Sequence, residues 1–331
     1  MKALLSYTPG KADTLRFAEQ PEPVCGPDQV LVRVKAVSLN YPDALMIEDL
    51  YQFKPERPFA PGTEVAGVIE TVGANVAGIK PGDRVCALCG HGGLAELVTA
   101  DAWSTFVIPD EMPFDVASTM LMTYATNIHG LTDRAGLRAG DTMLVLGASG
   151  GVGTAAVELG KALGARVVGA ASSPEKAEVA RRAGADDVVV YPKGALDKDA
   201  SRALANAFKA ACPQGYDVIY DVIGGDYAEP ALRSIGWEGR YMVIGFTAGI
   251  PKIPTNLALL KACSIVGVFW GAWTARNQAR FGEEVAELFR LWREGKIKPL
   301  ISQRFAFADA ARALDLMANR GAIGKLVVSI G

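Results

Sequence analysis

The spacing of apolar positions separates a β-rich first part of the chain from a second part in which strands and helices alternate. Residues 30–37 alternate apolar and polar side chains, the pattern of a strand buried on one face, and residues 64–72 predict another. The Pro-Gly-Asp sequence at residues 81–83 predicts a turn before the next strand. Turn residues continue at regular intervals to about residue 110, so we predict a small β-barrel there.

From Asp141 onward, short apolar runs alternate with helical segments. Ser173 followed by Pro174 predicts a capped helix start, and Gly184 predicts the end of that helix. The predicted strands are residues 142–146, 166–170, 187–190, 217–221, 240–245 and 265–269. Short buried strands separated by helices predict an α/β fold with a doubly wound parallel sheet.

The last apolar run, residues 325–330, follows a predicted helix at residues 282–293. We expect this final strand to return to the β-barrel, which makes the barrel domain discontinuous. The predicted division is residues 1–115 with 292–331 for the barrel domain, and residues 116–291 for the parallel-sheet domain.

Composition narrows the class of protein. The chain has 331 residues, of which half are hydrophobic, and its 34 basic and 36 acidic residues give a net charge of −2. This balance argues against disorder and against nucleic acid as a partner. No apolar stretch is long and continuous enough to predict a membrane span. The five scattered cysteines are typical of reduced thiols, so we expect a cytoplasmic protein.

A glycine-rich turn carries the strongest chemical signal. It lies between an apolar strand and a helix, where Gly151, Gly153 and Ala156 match the dinucleotide-binding pattern. Such a turn lets the backbone approach a pyrophosphate, whose charge the N–H groups of the helix start attract. The residues predicted to contact the cofactor here are Ser149, Gly150, Gly151, Val152 and Gly153.

The end of the second predicted strand indicates which dinucleotide binds. An NAD site usually has a carboxylate there for the ribose hydroxyls, but residues 170–173 are Ala-Ala-Ser-Ser and Lys176 follows. Hydroxyl groups and a nearby cation suit a 2′-phosphate, so we predict NADPH, bound in part by Ser172 and Lys176. In the alternative interpretation Lys176 is a solvated helix residue and Glu175 or Glu178 contacts the ribose.

Several motifs together resemble a known family. They are Ser38-Leu39-Asn40, Pro61-Gly62-Thr63-Glu64-Val65-Ala66-Gly67, Lys80-Pro81-Gly82-Asp83-Arg84-Val85, and the segment from Gly140 to Gly153. Over essentially its whole length the chain resembles the zinc-independent quinone oxidoreductase (zeta-crystallin-like) branch of the medium-chain dehydrogenase/reductase family. The resemblance implies a GroES-like β-barrel catalytic domain and a Rossmann domain. The chain departs from the family pattern at Glu158, where Gln is usual, and at Thr126-Asn127-Ile128.

The resemblance also implies further cofactor contacts. They are Tyr191 near the adenosine phosphate; Ile244, Gly245, Phe246, Val268, Phe269 and Trp270 along the nicotinamide; and Lys325 in the last cofactor-side loop. In this family the sixth strand pairs across a dimer, so residues 265–269 are expected to form a homodimer interface. Trp270 and Trp273 could stack on a flat substrate, although Trp273 also fits a core or interface position.

The implied reaction is hydride transfer from NADPH to a quinone or an α,β-unsaturated carbonyl, outside the carboxyl ends of the parallel strands. The candidate catalytic residues are Asn40, Tyr51 and Thr126, again from the resemblance. Tyr51 is otherwise an ordinary loop aromatic, and Thr126 an ordinary helix hydroxyl. The proton donor stays open. An enoyl-CoA reductase and a non-catalytic NADPH-binding protein stay open as alternative functions.

The motifs predict no metal. Zinc-dependent relatives need a Gly-His-Glu turn, which here is Gly62-Thr63-Glu64. Cys86, Cys89 and His91 are the best candidate ligands, but they lack an evident fourth partner.

A short-chain dehydrogenase is excluded because its Tyr-x-x-x-Lys motif does not follow the glycines. His129 falls on a predicted buried helix, and we expect it to be a core residue.

Overall fold

The computed structural model describes residues 1–319 and 321–331, which divide into two compact units. The β-rich unit comprises Met1–Thr123, Gln278–Phe289 and Ile301–Gly331. The α/β unit comprises Tyr124–Asn277 and Arg290–Leu300.

Both units are discontinuous, and their limits differ from the predicted domain boundaries near residues 115 and 291. The main difference is the segment Gln278–Phe289, which groups with the β-rich unit rather than with the parallel sheet. Its Phe281 is fully buried and meets Phe106 edge-on at 5.0 Å between ring centroids, with Trp103 at 6.4 Å. This aromatic packing is a tertiary contact that helix periodicity does not reveal.

The β-rich unit contains a two-stranded sheet, a seven-stranded sheet and short helices. Its strands are β1 (Lys2–Leu5), β2 (Arg16–Glu19), β3 (Gln29–Leu39), β4 (Glu64–Val72), β5 (Arg84–Leu88), β6 (Leu97–Asp101), β7 (Thr105–Val107), β14 (Ile301–Ala306) and β15 (Lys325–Ser329). Its α-helices are α1 (Tyr41–Ile47), α2 (Phe114–Ala117), the first part of α10 (Gln278–Arg293), and α11 (Ala310–Ala318).

Strand β3 organises the larger sheet, because it pairs antiparallel with β4, β6 and β15. The pairing of β15 with β3 confirms the expected return of the final strand. In this register Ser38 lies opposite Glu64 and Leu39 lies opposite Leu326. The end of β3 therefore meets the start of β4 and the start of β15. A core of buried aliphatic side chains from these strands supports that junction.

The α/β unit has strands β8 (Thr142–Leu146), β9 (Arg166–Ala171), β10 (Asp187–Val190), β11 (Tyr216–Asp221), β12 (Ile235–Val243) and β13 (Ser264–Gly267). Its α-helices are α3 (Thr126–His129), α4 (Gly151–Ala162), α5 (Pro174–Arg182), α6 (Lys198–Ala211), α7 (Ala228–Leu232), α8 (Asn256–Lys261), α9 (Trp270–Thr274) and the last residues of α10.

These strands form one parallel sheet in the order β10-β9-β8-β11-β12-β13, which confirms the predicted doubly wound sheet. The order reverses beside β8, so chain connections run outward to both sides from this central strand. All six carboxyl ends consequently lie at one edge of the sheet, which we call the carboxyl edge. None of the helices in the described residues is long and apolar enough to cross a membrane.

Candidate cofactor and substrate site

The turn between β8 and α4 leaves the helix start open to an anion. Gly147 has a φ of +75°, and the N–H groups of Gly147 and Ala148 each donate to the carbonyl oxygen of Ala170 at 3.0 Å. Helix α4 has Gly150 as its N-cap, and in the described part of the chain no side chain caps it. The N–H groups of its first turn have no acceptor within the helix, so they can bind a pyrophosphate.

Gly153 brings this helix close to the turn. A Cβ on Gly153 would lie 2.1 Å from the carbonyl oxygen of Gly147, which is closer than any real contact. Asn127 donates from Nδ2 to the carbonyl oxygen of Val152 at 3.0 Å and ties α3 to the same bend. The predicted contacts from Ser149 to Gly153 therefore form one narrow, backbone-lined bend. This cradle fits a dinucleotide phosphate.

The predicted ribose contacts lie at the ends of β9 and β10. Ala171 pairs with Val190, and Tyr191 donates its N–H to the carbonyl oxygen of Ala171 at 2.9 Å. Ser172 and Lys176 are half-buried, and Ser173 caps α5 by accepting the N–H of Lys176 at 3.3 Å. The structure thus brings Ser172, Lys176 and Tyr191 to one place on the carboxyl edge.

The alternative ribose contacts, Glu175 and Glu178, are both exposed. A hydrogen bond from the Ser173 hydroxyl is the main cause that lowers the pKa of Glu175. Glu178 lies 3.5 Å from Arg181 on the same helix. Each carboxylate therefore already has a partner on α5 itself.

The predicted nicotinamide contacts follow β12 and β13 on the same edge. The N–H groups of Ile244 and Gly245 donate to the carbonyl oxygen of Asp221 at 2.9 and 3.3 Å, and Val268 donates to Val243 at 3.1 Å. Phe246 and Phe269 are exposed, whereas Trp270 is buried at the start of α9. Backbone pairing therefore continues beyond both strands and positions these residues.

The carboxylate of Asp221 has a structural role that the sequence did not predict. Its Oδ1 accepts the N–H groups of Ile223 and Gly224 at 2.8 and 2.9 Å, and its Oδ2 accepts the hydroxyl of Tyr241 at 2.5 Å. Burial raises the pKa of Asp221. This carboxylate fixes the loop after β11 at the carboxyl edge. Its position at the end of an apolar strand was a signal that could have identified it.

Thr126 is half-buried at the start of α3, in the α/β unit. His129 on the same helix is buried, as predicted, and stacks on Trp273 with ring centroids 3.9 Å apart. Trp273 therefore packs within the α/β unit, and its face toward His129 is not available for stacking on a substrate.

The β-rich unit contains a buried polar cluster formed by Asn40, Asp43, Glu64 and Lys325, here the Lys325 cluster. The Lys325 ammonium donates to Oδ1 of Asn40 at 2.6 Å, to Oε1 of Glu64 at 3.0 Å and to the carbonyl oxygen of Leu39 at 3.3 Å. An ammonium has three N–H donors, and these three acceptors, all in the β-rich unit, engage every one of them. The predicted cofactor contact of Lys325 stays a prediction.

Asn40 and Glu64 are held from several sides. Nδ2 of Asn40 donates to Glu64 Oε1 at 3.1 Å and to the carbonyl oxygen of Ser38 at 3.2 Å. The other oxygen of Glu64, Oε2, accepts the N–H of Met122 at 2.8 Å. Asn40 is 7% exposed, so its amide serves mainly this network.

Asp43 completes the cluster from helix α1. Its Oδ2 accepts the backbone N–H of Asn40 at 2.7 Å, while its buried Oδ1 has no hydrogen-bond partner among the described residues. Burial is the main cause that raises the pKa of Asp43 to about 7. The pKa of the half-buried Tyr51 is also raised, first by burial and then by the charge of Asp43. Tyr51 therefore lies within electrostatic reach of the cluster and is a protonated phenol at neutral pH.

The donors present here do not fit a zinc ion. Glu64 is already bonded to the cation of Lys325, and the turn residue that is His in zinc enzymes is Thr63. Among the earlier candidates, burial raises the pKa of the Cys86 and Cys89 thiols, and Cys89 donates to the carbonyl oxygen of Gly62 at 3.3 Å. His91 lies between Phe53 and Phe59. The positive charge in the Lys325 cluster is the ammonium of Lys325.

Glu158, where the family usually has Gln, forms a buried contact in the α/β unit. Its Oε2 accepts both the hydroxyl of Tyr124 and the N–H of Lys298 at 2.8 Å. Burial raises the pKa of Glu158 to about 7. This residue joins α4 to two distant segments of its own unit.

Comparison with known proteins agrees with this architecture. A sequence model for the alcohol dehydrogenase GroES-like domain matches residues 26–110, and one for zinc-binding dehydrogenases matches residues 151–290. A quinone oxidoreductase-like protein 2 homolog of Nematostella vectensis is 35% identical over 92% of this chain and 82% of its own length. A quinone oxidoreductase of Pseudomonas aeruginosa is 33% identical over 96% of both chains.

Among solved structures, a mycobacterial protein complexed with NADPH covers all of this chain and all of its own, with a TM-score of 0.91 and 28% identity. The fold is therefore a GroES-like domain combined with a Rossmann domain. Its glycine turn lies at the carboxyl edge, and the ammonium of Lys325 is bonded to Asn40 and Glu64. The chain belongs to the zinc-independent quinone oxidoreductase branch of the medium-chain dehydrogenase/reductase family.

Proposed function

We propose that this protein is an NADPH-dependent oxidoreductase that reduces a quinone or an α,β-unsaturated carbonyl without a metal. The observation that carries the proposal is the uncapped start of α4, where Gly153 packs too closely on Gly147 for any side chain. Ser149, Gly150, Gly151, Val152 and Gly153 would hold the pyrophosphate, and Ser172, Lys176 and Tyr191 the phosphorylated ribose. NADPH, when bound, supplies the hydride.

The chain's own groups orient the reactants rather than activate them. The backbone of residues 244–246 and 268–270 would lie along the nicotinamide. Tyr51 would donate a hydrogen bond from its hydroxyl to the carbonyl oxygen of the acceptor, and solvent would supply the proton that accompanies the hydride. Asn40 would act indirectly, because its amide is committed to Lys325 and Glu64. Thr126 would orient the nicotinamide carboxamide.

An acceptor panel tests this proposal. NADPH oxidation is followed by absorbance with benzoquinone, phenanthrenequinone and an alkenal, and each assay is repeated with NADH. We expect quinone-dependent oxidation of NADPH and slower oxidation of NADH. Tight NADPH binding without oxidation by any acceptor would contradict the proposal and favour a non-catalytic NADPH-binding protein. Activity confined to an enoyl-CoA would favour the reductase alternative, which the named relatives do not support.

We further propose that two copies pair through β13. This strand ends the parallel sheet, so one of its edges has no partner strand within the described chain. Ile265 is 41% exposed on it, and Leu259, Leu260 and Phe269 nearby are more exposed still. An apolar strand edge favours pairing with an identical edge. Light scattering should give a dimer mass, and Ile265→Lys should give a monomer; a monomeric wild type would contradict this.

A cytoplasmic location is also proposed, from the thiols. All five cysteines are unpaired, and Cys25, Cys89 and Cys263 are partly exposed. Free thiols persist in a reducing compartment. Fractionation of the native host should find the protein in the cytosol with reduced thiols; recovery of an oxidised form from outside the cytoplasm would contradict this.

A further inference from the structure

We propose that Lys193 is a second cation for the 2′-phosphate of NADPH, acting beside Lys176, and that Tyr227 holds the loop that carries it. This inference rests on the cofactor edge proposed above. It adds two residues that neither the glycine motif nor the family motifs contain. It concerns cofactor choice, so it is tested by binding alone.

Sheet pairing places Lys193 at the ribose end of the carboxyl edge. Strands β9 and β10 are parallel, with Ala171 opposite Val190, so Ser172 and Tyr191 leave the sheet side by side. The hydrogen bond from Tyr191 N–H to Ala171 continues this pairing by one residue. Lys193 follows only two residues later and is exposed.

Two positive charges lie close together at this place, and the exposed carboxylate of Glu175 is within electrostatic reach of Lys193. The pKa of Lys176 is lowered, first by burial and then by the positive charge of Lys193, so the two ammonium groups act on each other. In the described part of the chain neither lysine forms an ion pair. Two unpaired cations at one edge repel, and a phosphate dianion between them would remove that repulsion.

The backbone around Lys193 is fixed although the side chain is exposed. The hydroxyl of Tyr227 lies 2.9 Å from the carbonyl oxygen of Pro192 and 3.1 Å from that of Gly194, one residue on either side of the lysine. The Tyr227 ring also packs on Tyr191, with centroids 4.8 Å apart. A buried phenol therefore anchors both sides of Lys193, which reduces the loop entropy lost when an anion binds.

The carboxylates near this loop are already engaged and would not serve a ribose diol. The Ser173 hydroxyl bonds Glu175, whose pKa Lys193 also lowers. Asp226 accepts the N–H of Leu196 at 3.1 Å. The edge thus presents two cations and hydroxyl groups to its ligand, which favours a phosphate over a diol.

The experiment measures the Kd of NADPH and of NADH by fluorescence titration of purified wild-type protein and single variants. Lys193→Ala should weaken NADPH by about tenfold and leave NADH unchanged, because a charge-assisted contact to phosphate is lost. Its NADPH affinity should also depend less on salt. Lys198→Ala, an exposed lysine five positions further along, is the matched control and should change neither Kd. Tyr227→Phe should weaken NADPH by about threefold, since the ring stays and only the anchoring hydroxyl is removed.

The outcomes separate this inference from the proposed function. If Lys176→Ala removes the preference for NADPH while Lys193→Ala keeps it, Lys193 has no role and the inference is wrong. An equal loss for NADH and NADPH in Lys193→Ala would also overturn it, because that variant would then act on the loop rather than on the phosphate. If wild-type protein binds both cofactors equally, the proposed NADPH edge itself fails.

Discussion

The ammonium of Lys325 lies 3.0 Å from Oε1 of Glu64, and both side chains are at most 3% exposed. Lys325 is near the end of the chain, and Glu64 begins β4, so the pair joins distant parts of the β-rich unit. The same ammonium bonds Asn40 at 2.6 Å. A single buried cation therefore holds the junction of β3, β4 and β15.

Removal of this cation should destabilise the protein strongly. Lys325→Met leaves Glu64 charged, buried and without its cation, which should lower the free energy of unfolding by about 3–5 kcal/mol. Urea titration at neutral pH measures the change. The double variant with Glu64→Gln should recover part of the loss. Lys296→Met, at an exposed pair with Glu294, should change the stability far less, and an equal change at both sites would contradict the buried-pair argument.

Gly153→Ala should impair the cofactor turn. The new methyl group would meet the Gly147 carbonyl oxygen at 2.1 Å, so α4 must move away from the turn. We expect NADPH affinity to fall by at least about tenfold, because the backbone can no longer approach the pyrophosphate closely. Gly271→Ala is the control, since a Cβ there meets nothing within 4 Å. Unchanged NADPH binding in Gly153→Ala would contradict the proposed cradle.

Glu158 should make stability depend on pH. Its pKa rises from 4.5 to about 7 on folding, mainly through burial, so the folded state binds the proton more tightly. The contribution of Glu158 to stability should be fully present below pH 4.5 and be lost as the pH rises toward about 7, by about 3 kcal/mol in total.

The neutral variant Glu158→Gln tests this prediction by urea unfolding across that range. It should match the wild type near the acid end and be more stable above pH 7, because Gln carries no charge to bury. Glu178→Gln, at an exposed position, should leave the profile of the wild type unchanged. Parallel profiles for wild type and Glu158→Gln would show that Glu158 does not cause the dependence.

Asp221 should protect the amides of the loop after β11. Asp221→Ala leaves the N–H groups of Ile223 and Gly224 without their acceptor, so their hydrogen exchange should accelerate and stability should fall by about 2–4 kcal/mol. Asp221→Asn keeps one acceptor oxygen in place and should preserve most of the protection. Fast exchange of both amides in the wild type would contradict the observed bonds.

Much of the architecture follows from the sequence alone. The strands at residues 64–72 and 187–190 have the predicted limits, because each is a short run whose apolar pattern ends at turn residues. Ser173 and Pro174 begin α5 as predicted, since capping is a local interaction within one turn. The glycine turn was also predicted, because Gly153 belongs to a local motif in which only a small residue lets the helix pack closely on the turn.

What the sequence could not supply were contacts between residues far apart in the chain. The three donors of Lys325 meet Leu39, Asn40 and Glu64, which is a result of sheet register across almost 300 positions. The roles of Asp221 and Tyr227, and the raised pKa of Glu158, likewise depend on burial and on partners that periodicity does not encode. Local pattern determined the elements and the turn, because both depend on neighbouring residues; only the tertiary structure decided which charges lie together, because that depends on how the strands pair.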